Sequence, residues 1–444
     1  MSLTNRVGLV AGAATLAITG AGFGISQDAH NDTMAEIAAM KEEIAALRAQ
    51  TGDNWLTAQR ASEIRGLVQD VLADADTRSS LQGSGMTAGW DRGFFLASPD
   101  GNYRLRVQGQ IQFRYAMNFR DSDDSIDSTT HGFENRRTKL NFSGNVIDRT
   151  WQYRVQGAFN RGSNGQFRLE DAWLRKNFDN GLYARAGQFK GPLLREELVS
   201  SQQQLAVERS LINNVFTQGF SQGVEIGWAG DNIRGSAMFH DGLRNPNSPA
   251  LEQSTEWGFM ARGEFLLAGT WGQFSDFTSW NGESFGALIG AAINWQRDEF
   301  GLSGVPAGGK TAPLTVTVDG QVEFGGANLY GAFIYRDTDT ENSGSSDQIA
   351  FLVQGGVFVI PESVEIFGRY EWGDLDTTGQ KDLSVLTFGV NWYFAKHAAK
   401  WTTDIGYSFN TITSGWSNSG AAWLTDAGDG DDQVVIRSQF QVLF

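Results

Sequence analysis

The sequence predicts an all-β protein: a transmembrane antiparallel β-barrel of about 16 strands, preceded by a short α-helical segment with coiled-coil spacing. Three features carry that reading. The stretch YRLRVQGQIQFRYAMNF (Tyr103–Phe119) alternates with period two along its whole length. Tyr, Leu, Val, Gly, Ile, Phe and Met occupy one face, and Arg, Gln, Ala and Asn the other. Segments of the same kind recur to the last residue, separated by connections that alternate between short turns and long polar loops. The chain ends in VVIRSQFQVLF, a final alternating strand that places Val434, Ile436, Phe440, Val442 and Phe444 on one face.

Composition agrees. Mean hydropathy is −0.30, as expected where each strand is apolar on one side and polar on the other and the two cancel. The 54 glycines and 7 prolines suit sheets with few internal breaks. The absence of cysteine excludes a disulfide framework and a thiolate metal site. A net charge of −16 argues against a nucleic-acid partner.

The elements follow in order. Residues 1–25 read as a signal peptide: Arg6 supplies the positive start, and Val7–Phe23 is an apolar, small-residue core too glycine-broken for a span. Residues 26–80 read as a helical periplasmic segment, with Ile37, Met40, Ile44 and Leu47 at heptad spacing and Ile64, Leu67 and Val71 repeating it. Residues 81–100 read as a linker and 101–444 as the barrel. The strands are expected at 103–119, 138–145, 151–160, 167–178, 181–190, 222–228, 233–240, 255–266, 285–297, 314–324, 327–336, 348–359, 364–372, 382–393, 401–410 and 433–444. Short turns at 147–150, 179–181, 229–232, 325–326 and 361–363 are expected at the periplasmic end. Long loops at 121–132, 191–220, 241–254, 337–346 and 412–432 belong at the other end. Residues 267–284 are long where a short turn is due.

Hydrocarbon offers no partner to a backbone N–H or C=O, and a closed barrel pairs all of them without an edge. The apolar face therefore meets lipid and the polar face a wet lumen, since about 16 strands enclose too wide a space for side chains to fill. Aromatic residues near strand ends, among them Trp151, Phe178, Trp228, Trp392 and Trp401, fit interfacial girdles. Strand phase then assigns a basic lumen lining: Arg104, Arg106, Arg114, Arg137, Lys139, Arg154, Arg175, Arg185, Arg234, Arg262 and Arg369. The competing assignment pairs these cations across the wall with Glu225, Glu264, Asp319, Glu323 and Glu371.

Motifs for chemistry are weak. Gly219-Phe220-Ser221-Gln222-Gly223 has the G-x-S-x-G form, but a strand pattern follows where a nucleophile elbow needs a helix. His30, His131, His240 and His397 show no ligand spacing. The acidic runs at 121–127 and 426–432 do not match a calcium loop and read as solvated loops. No enzyme activity, cofactor or metal is expected.

One segment, GLYARAGQFKGPLLREELVSSQQQLAVERSL (181–211), resembles the phosphate-selective porin O and P family. The residues that carry the likeness are Gly187-Gln188-Phe189-Lys190, Pro192, Glu196-Glu197, Ser200-Ser201 and Glu208-Arg209-Ser210. Arg136-Arg137, Trp151–Arg154, Glu170–Leu174, Arg369–Trp372 and Gly389–Tyr393 resemble the family too. The resemblance implies a 16-stranded porin of the bacterial outer membrane, a homotrimer, with the loop 191–220 folded inward as a constriction. Lys190, Arg195, Glu196, Glu197, Glu208 and Arg209 would stand in that constriction. A terminal strand ending in Phe440, Val442 and Phe444 resembles the signal read by the barrel-assembly machinery. The implied function is passive diffusion of small hydrophilic solutes, anions such as phosphate among them. The partners are then membrane lipid, lipopolysaccharide and small ions. The chain departs from the family's lysine-rich entrance: its outer loops carry Asp121, Asp123, Asp124, Asp127, Asp337, Asp339, Asp374, Asp376, Asp429, Asp431 and Asp432. A general or cation-preferring pore, and a structural tether through the N-terminal helices, are the alternatives.

Overall fold

The computed structural model describes residues 85–444, apart from 122–126, 163, 299–308, 343, 428, 429 and 431, and scattered positions between Ala35 and Gln69. The chain divides into two units, Met1–Gly83 and Ser84–Phe444. In the first, the described positions are helical and exposed. The signal peptide lies outside the described residues, as does the whole heptad stripe except Met40.

The second unit is a barrel. It is preceded by a hairpin, β1 (Thr87–Trp90) and β2 (Phe94–Ala97). The barrel strands are β3 (Arg104–Phe119), β4 (Thr129–Val146), β5 (Asp148–Phe159), β6 (Phe167–Asn177), β7 (Leu182–Lys190), β8 (Phe220–Ala229), β9 (Ile233–His240) and β10 (Thr255–Ala268). They continue as β11 (Gly286–Asp298), β12 (Thr311–Glu323), β13 (Ala327–Thr340), β14 (Gly344–Ile360), β15 (Val364–Asp374), β16 (Leu383–Ala395), β17 (Ala399–Ser408) and β18 (Val434–Leu443). Each pairs antiparallel with the next, and β18 pairs with β3 from Val434↔Phe119 to Leu443↔Gln110, which closes a 16-strand barrel.

Alternation along β3 has the expected phase. Gln110, Gln112 and Arg114 are 2%, 1% and 1% exposed, whereas Ile111 and Phe113 are 41% and 45% exposed. The exposed large apolar side chains of the other strands, such as Ile226, Phe259, Ile293, Val318, Phe388 and Ile405, continue this outer band. Exposed Trp151, Phe178, Trp228, Trp392 and Trp401 stand at its short-turn rim.

Three differences from the sequence reading have physical causes. Strand β4 starts at Thr129, nine residues earlier than expected, and β13 and β14 absorb most of the loop expected at 337–346. These extensions are polar (Asp337–Thr340 against Gly344–Asp347), because a ladder continued beyond the membrane needs no apolar face. Second, β1 and β2 occupy what reads as linker. Strand β2 pairs with β3 at Arg104–Val107, beside the stretch that β18 covers, so it extends the closing seam. Third, part of the inner wall is dry. Ile334, Leu352, Val385 and Val435 face inward and are buried under loops that enter the lumen. From the long-loop end come residues 191–219 and the last loop, whose Trp416 and Trp423 are buried. Gly373 and Gly406 admit these two rings, since a Cβ at either position would collide with the indole.

Candidate functional site: the lumen and its constriction

The loop 191–219 is the longest intrusion, and its geometry follows from two apolar runs and a set of charges. Leu193, Leu194, Leu205, Leu211, Ile212 and Phe216 are buried. Two helical stretches, Arg195–Leu198 and Leu211–Phe216, give it shape, the second capped by Ser210, whose side chain accepts from Asn213 N. The loop spans the interior from β7 to the opposite wall. There Asp404 Oδ2 accepts from Val207 N (2.9 Å), Glu371 Oε2 accepts from Leu211 N (2.6 Å), and Asn391 Nδ2 donates to Leu205 O (3.0 Å).

Glu208 is its firmest anchor. The carboxylate meets Arg114 at 2.8 Å and Arg136 and Arg137 at 2.7 Å each. Burial pushes its carboxyl up, but the three guanidiniums outweigh burial and hold it well below the usual carboxylate range. Glu197 is likewise held to about 2, where burial is outweighed by Arg209 and Lys190. Glu196 turns inward within the loop and accepts from Ser210 N and Oγ (2.8 and 2.5 Å). Arg209 donates to Glu196 O (2.9 Å) and Val199 O (2.7 Å). Arg195 is 3% exposed and leaves the loop to reach β10 and β12.

The basic set expected in the lumen falls into three groups, with Arg262 shared between the first and the third and Arg137 held by Glu208 as above. Arg114, Arg262 and Arg369 are buried beneath the loop: Arg262 is 2.7 Å from Asp319, and Arg369 is 2.9 Å from Glu371. Arg104 and Arg106 both bind Asp91 at 2.7 Å, at the tip of the β1–β2 hairpin. Those two hydrogen-bonded guanidiniums hold the Asp91 carboxyl below its ordinary value. The third group borders open space between the loop and the β3–β10 wall. Arg175, Arg185, Lys190, Arg234 and Arg262 line a cavity of about 360 Å³ with Glu225 and Glu264. Lys139, Arg154, Arg185 and Lys190 line an adjoining one of about 200 Å³ with Asp171. The two cavities share Arg185, Lys190 and Leu198, and form one lane lined by seven cations and three carboxylates.

Many of the cations have carboxylate partners. Arg185 meets Glu225, Arg234 meets Glu264, and Arg154 lies 3.4 Å from Asp171. Lys139 binds Glu170, just behind the lane, at 2.7 Å. Of the five acids named from the sequence as partners, Glu225, Glu264, Asp319 and Glu371 pair with arginine, while Glu323 accepts from Gln321 instead. Arg175 makes no salt bridge among the described residues; its guanidinium stacks on Tyr183 at 3.7 Å, and its Nε donates to Asn177. It stands directly across from Arg185 in the β6–β7 register.

Strict alternation overlooks Arg136 and Glu170, which precede inward-facing Arg137 and Asp171. Register shifts opposite Gln112/Phe113 and Gln156/Gly157 turn both members of each pair inward. Two adjacent charges in an alternating strand are themselves the signal, because strict alternation would turn one of them to the outer face, where a charge is disfavoured the more the nearer it lies to the bilayer centre. Arg437 and Asp404, fully buried and 2.7 Å apart, are a further interior pair outside the expected set.

At the seam, Phe440 and Val442 are exposed on the outer face. The Phe444 N–H donates to Gly109 O (3.1 Å), and its ring lies over Gly109, where any Cβ would collide with it. The G-x-S-x-G stretch enters β8, with Ser221 buried on the inner wall.

A family model described as phosphate-selective porin O and P matches residues 106–349. No curated protein sequence matches the chain. Among solved structures, an anion-selective porin from Comamonas acidovorans is similar with a TM-score of 0.53 at 12% identity, covering 77% of this chain and 99% of that one. The outer membrane channel DcaP of Acinetobacter baumannii has a TM-score of 0.51 at 11% identity, covering 76% and 96%. The trimer form of in-vitro folded OmpT from Vibrio cholerae has a TM-score of 0.50 at 16% identity, covering 76% and 98%. At such identities the likeness is one of fold.

Proposed function

Because the chain belongs to the phosphate-selective porin O and P family, and so to the channel-forming barrels of the bacterial outer membrane, we propose that its pore passes small hydrophilic solutes passively and prefers small anions such as phosphate. The observation that carries the preference is the lane beside the loop 191–219, lined by seven cations and three carboxylates; Lys139, Lys190 and Arg262 are paired with Glu170, Glu197 and Asp319, which do not border it, while Arg175 has no salt bridge among the described residues. A guanidinium or ammonium in a narrow wet passage stays charged, and its field is screened less there than in bulk. A permeating anion meets hydrogen-bond donors along the wall that replace part of its hydration shell.

The acidic outer loops favour the alternative of a cation-preferring pore. Their charges are exposed at the mouth, where salt screens them over about 8–10 Å, whereas the lane acts at contact distance. Liposomes carrying the purified chain test the channel reading: swelling in small sugars and in phosphate is expected, and tight liposomes would contradict it. Homotrimeric assembly belongs to the same proposal, supported by the family and by the fold shared with a barrel solved in trimer form.

A further inference from the structure

The connection between β10 and β11 is long where its counterparts at that end are short, and it does not hang outside the barrel. Phe274, Phe277 and Trp280 are 2%, 0% and 7% exposed. The fold holds this segment from several sides. Gln321 Nε2 of β12 donates to Asp276 O (2.9 Å), Ser279 Oγ accepts from Gly325 N (3.1 Å), and Thr278 Oγ1 meets Tyr393 Oη (3.1 Å). Its deepest contact is with the loop from the opposite end: Arg195 donates to Phe274 O (2.6 Å), to Gln321 Oε1 (2.9 Å) and to Glu264 (3.3 Å).

We propose that residues 269–285 form a second constriction, on the short-turn side of the channel, and that Arg195 is the positioning residue that locks it to the loop 191–219. The proposal rests on the reading of the barrel as a channel. Two intrusions from opposite ends meet at a side chain that is 3% exposed, against Gln321 at 1%. No solute passes between them on the β10–β12 side. Toward β16 and β17 the same closure continues: Tyr393 is buried against Thr278, and Lys400 donates to Gln204 O (2.8 Å) at 3% exposure. The passage is therefore eccentric, and solute is confined to the lane along β3–β10. The segment also shapes that lane's exit, since Trp271 carries the guanidinium of Arg234 over its ring at 4.3 Å.

The test measures size rather than charge. Three variants, Arg195→Gln, Arg195→Lys and a barrel in which residues 270–284 are replaced by Asn-Gly, are compared with the unmodified channel for single-channel conductance and for the largest polyethylene glycol that enters from each side. The shortened variant is expected to conduct at least about 1.5-fold more and to admit larger polymer from the short-turn side, as a wider cross-section requires. Arg195→Gln should raise conductance in the same direction with added open-channel noise, and Arg195→Lys should reverse only part of that rise. Unchanged conductance and polymer cut-off in a folded shortened barrel would overturn the proposal. If that variant does not insert, unchanged conductance and noise in Arg195→Gln overturn it. Raised conductance with a cation-selective reversal potential would sink the anion preference and leave this inference standing.

Discussion

Glu208 shows how a carboxylate survives inside the barrel. It is 4% exposed, yet three guanidiniums surround it. Its depressed pKa has a definite consequence. The stability it contributes is present above the unfolded carboxylate value of about 4.3 and is lost only as pH falls through the lower folded value. Replacing Glu208 with Gln leaves three cations facing one another without their shared anion. We expect a loss of about 3–5 kcal/mol, the usual cost of breaking a buried pair, read as an earlier thermal unfolding in detergent. The gap between variant and parent should be constant from pH 7 to about 5 and close only in stronger acid, where the parent carboxylate also protonates. Equal melting temperatures at pH 7 would show that the anchor contributes nothing. Arg175 offers a contrasting substitution. With no salt bridge among the described residues, Arg175→Gln orphans no carboxylate. Its stability should shift by no more than about 1 kcal/mol, the scale of the lost contact with Tyr183. Its anion preference should fall, and an unaltered reversal potential would remove Arg175 from the selective set.

Among the elements, the 16 strands were legible because period-two alternation is a local property, and a membrane punishes any error of phase. Polar extensions such as Thr129–Arg137 carry no apolar stripe, so β4 reads short. The β1–β2 hairpin is too brief for its pattern to stand out from a Gly- and Ser-containing stretch. The loops were legible as loops but not as packing elements. Nothing local says that Trp416 will lie against Gly373, or that Arg195 will reach Phe274 O; both depend on closure of the barrel. How many of the cations lie buried under the loop was not readable, because the loop that covers them, and acids such as Glu208 that hold Arg114 and Arg137, are distant in sequence. Strand β18 carries its own prediction. The Phe444 ring covers Gly109, and its backbone pairs with it, so the last residue joins the two strands that close the barrel. Phe444→Ala is expected to slow membrane insertion while leaving conductance of the inserted fraction unchanged. Normal insertion kinetics would argue that the ring has no part in assembly.

Across the barrel as a whole, the outer wall carries an apolar band and the interior is filled unevenly. Three intrusions pack the lumen against β10–β18, and the open lane is left along β3–β10. The eccentric passage puts cations, not the average charge of a chain at −16, next to the solute. Assembly adds a prediction on the same scale: chemical cross-linking in mild detergent should give a three-copy species, and a monomer alone would contradict the trimer. The central claim concerns the sign of the ion that the lane favours. In a planar bilayer with a salt gradient, the zero-current potential of the unmodified channel should have the sign of anion permeation, and should hold that sign at salt concentrations where the acidic mouth is screened. A cation-selective potential under those conditions would contradict the account.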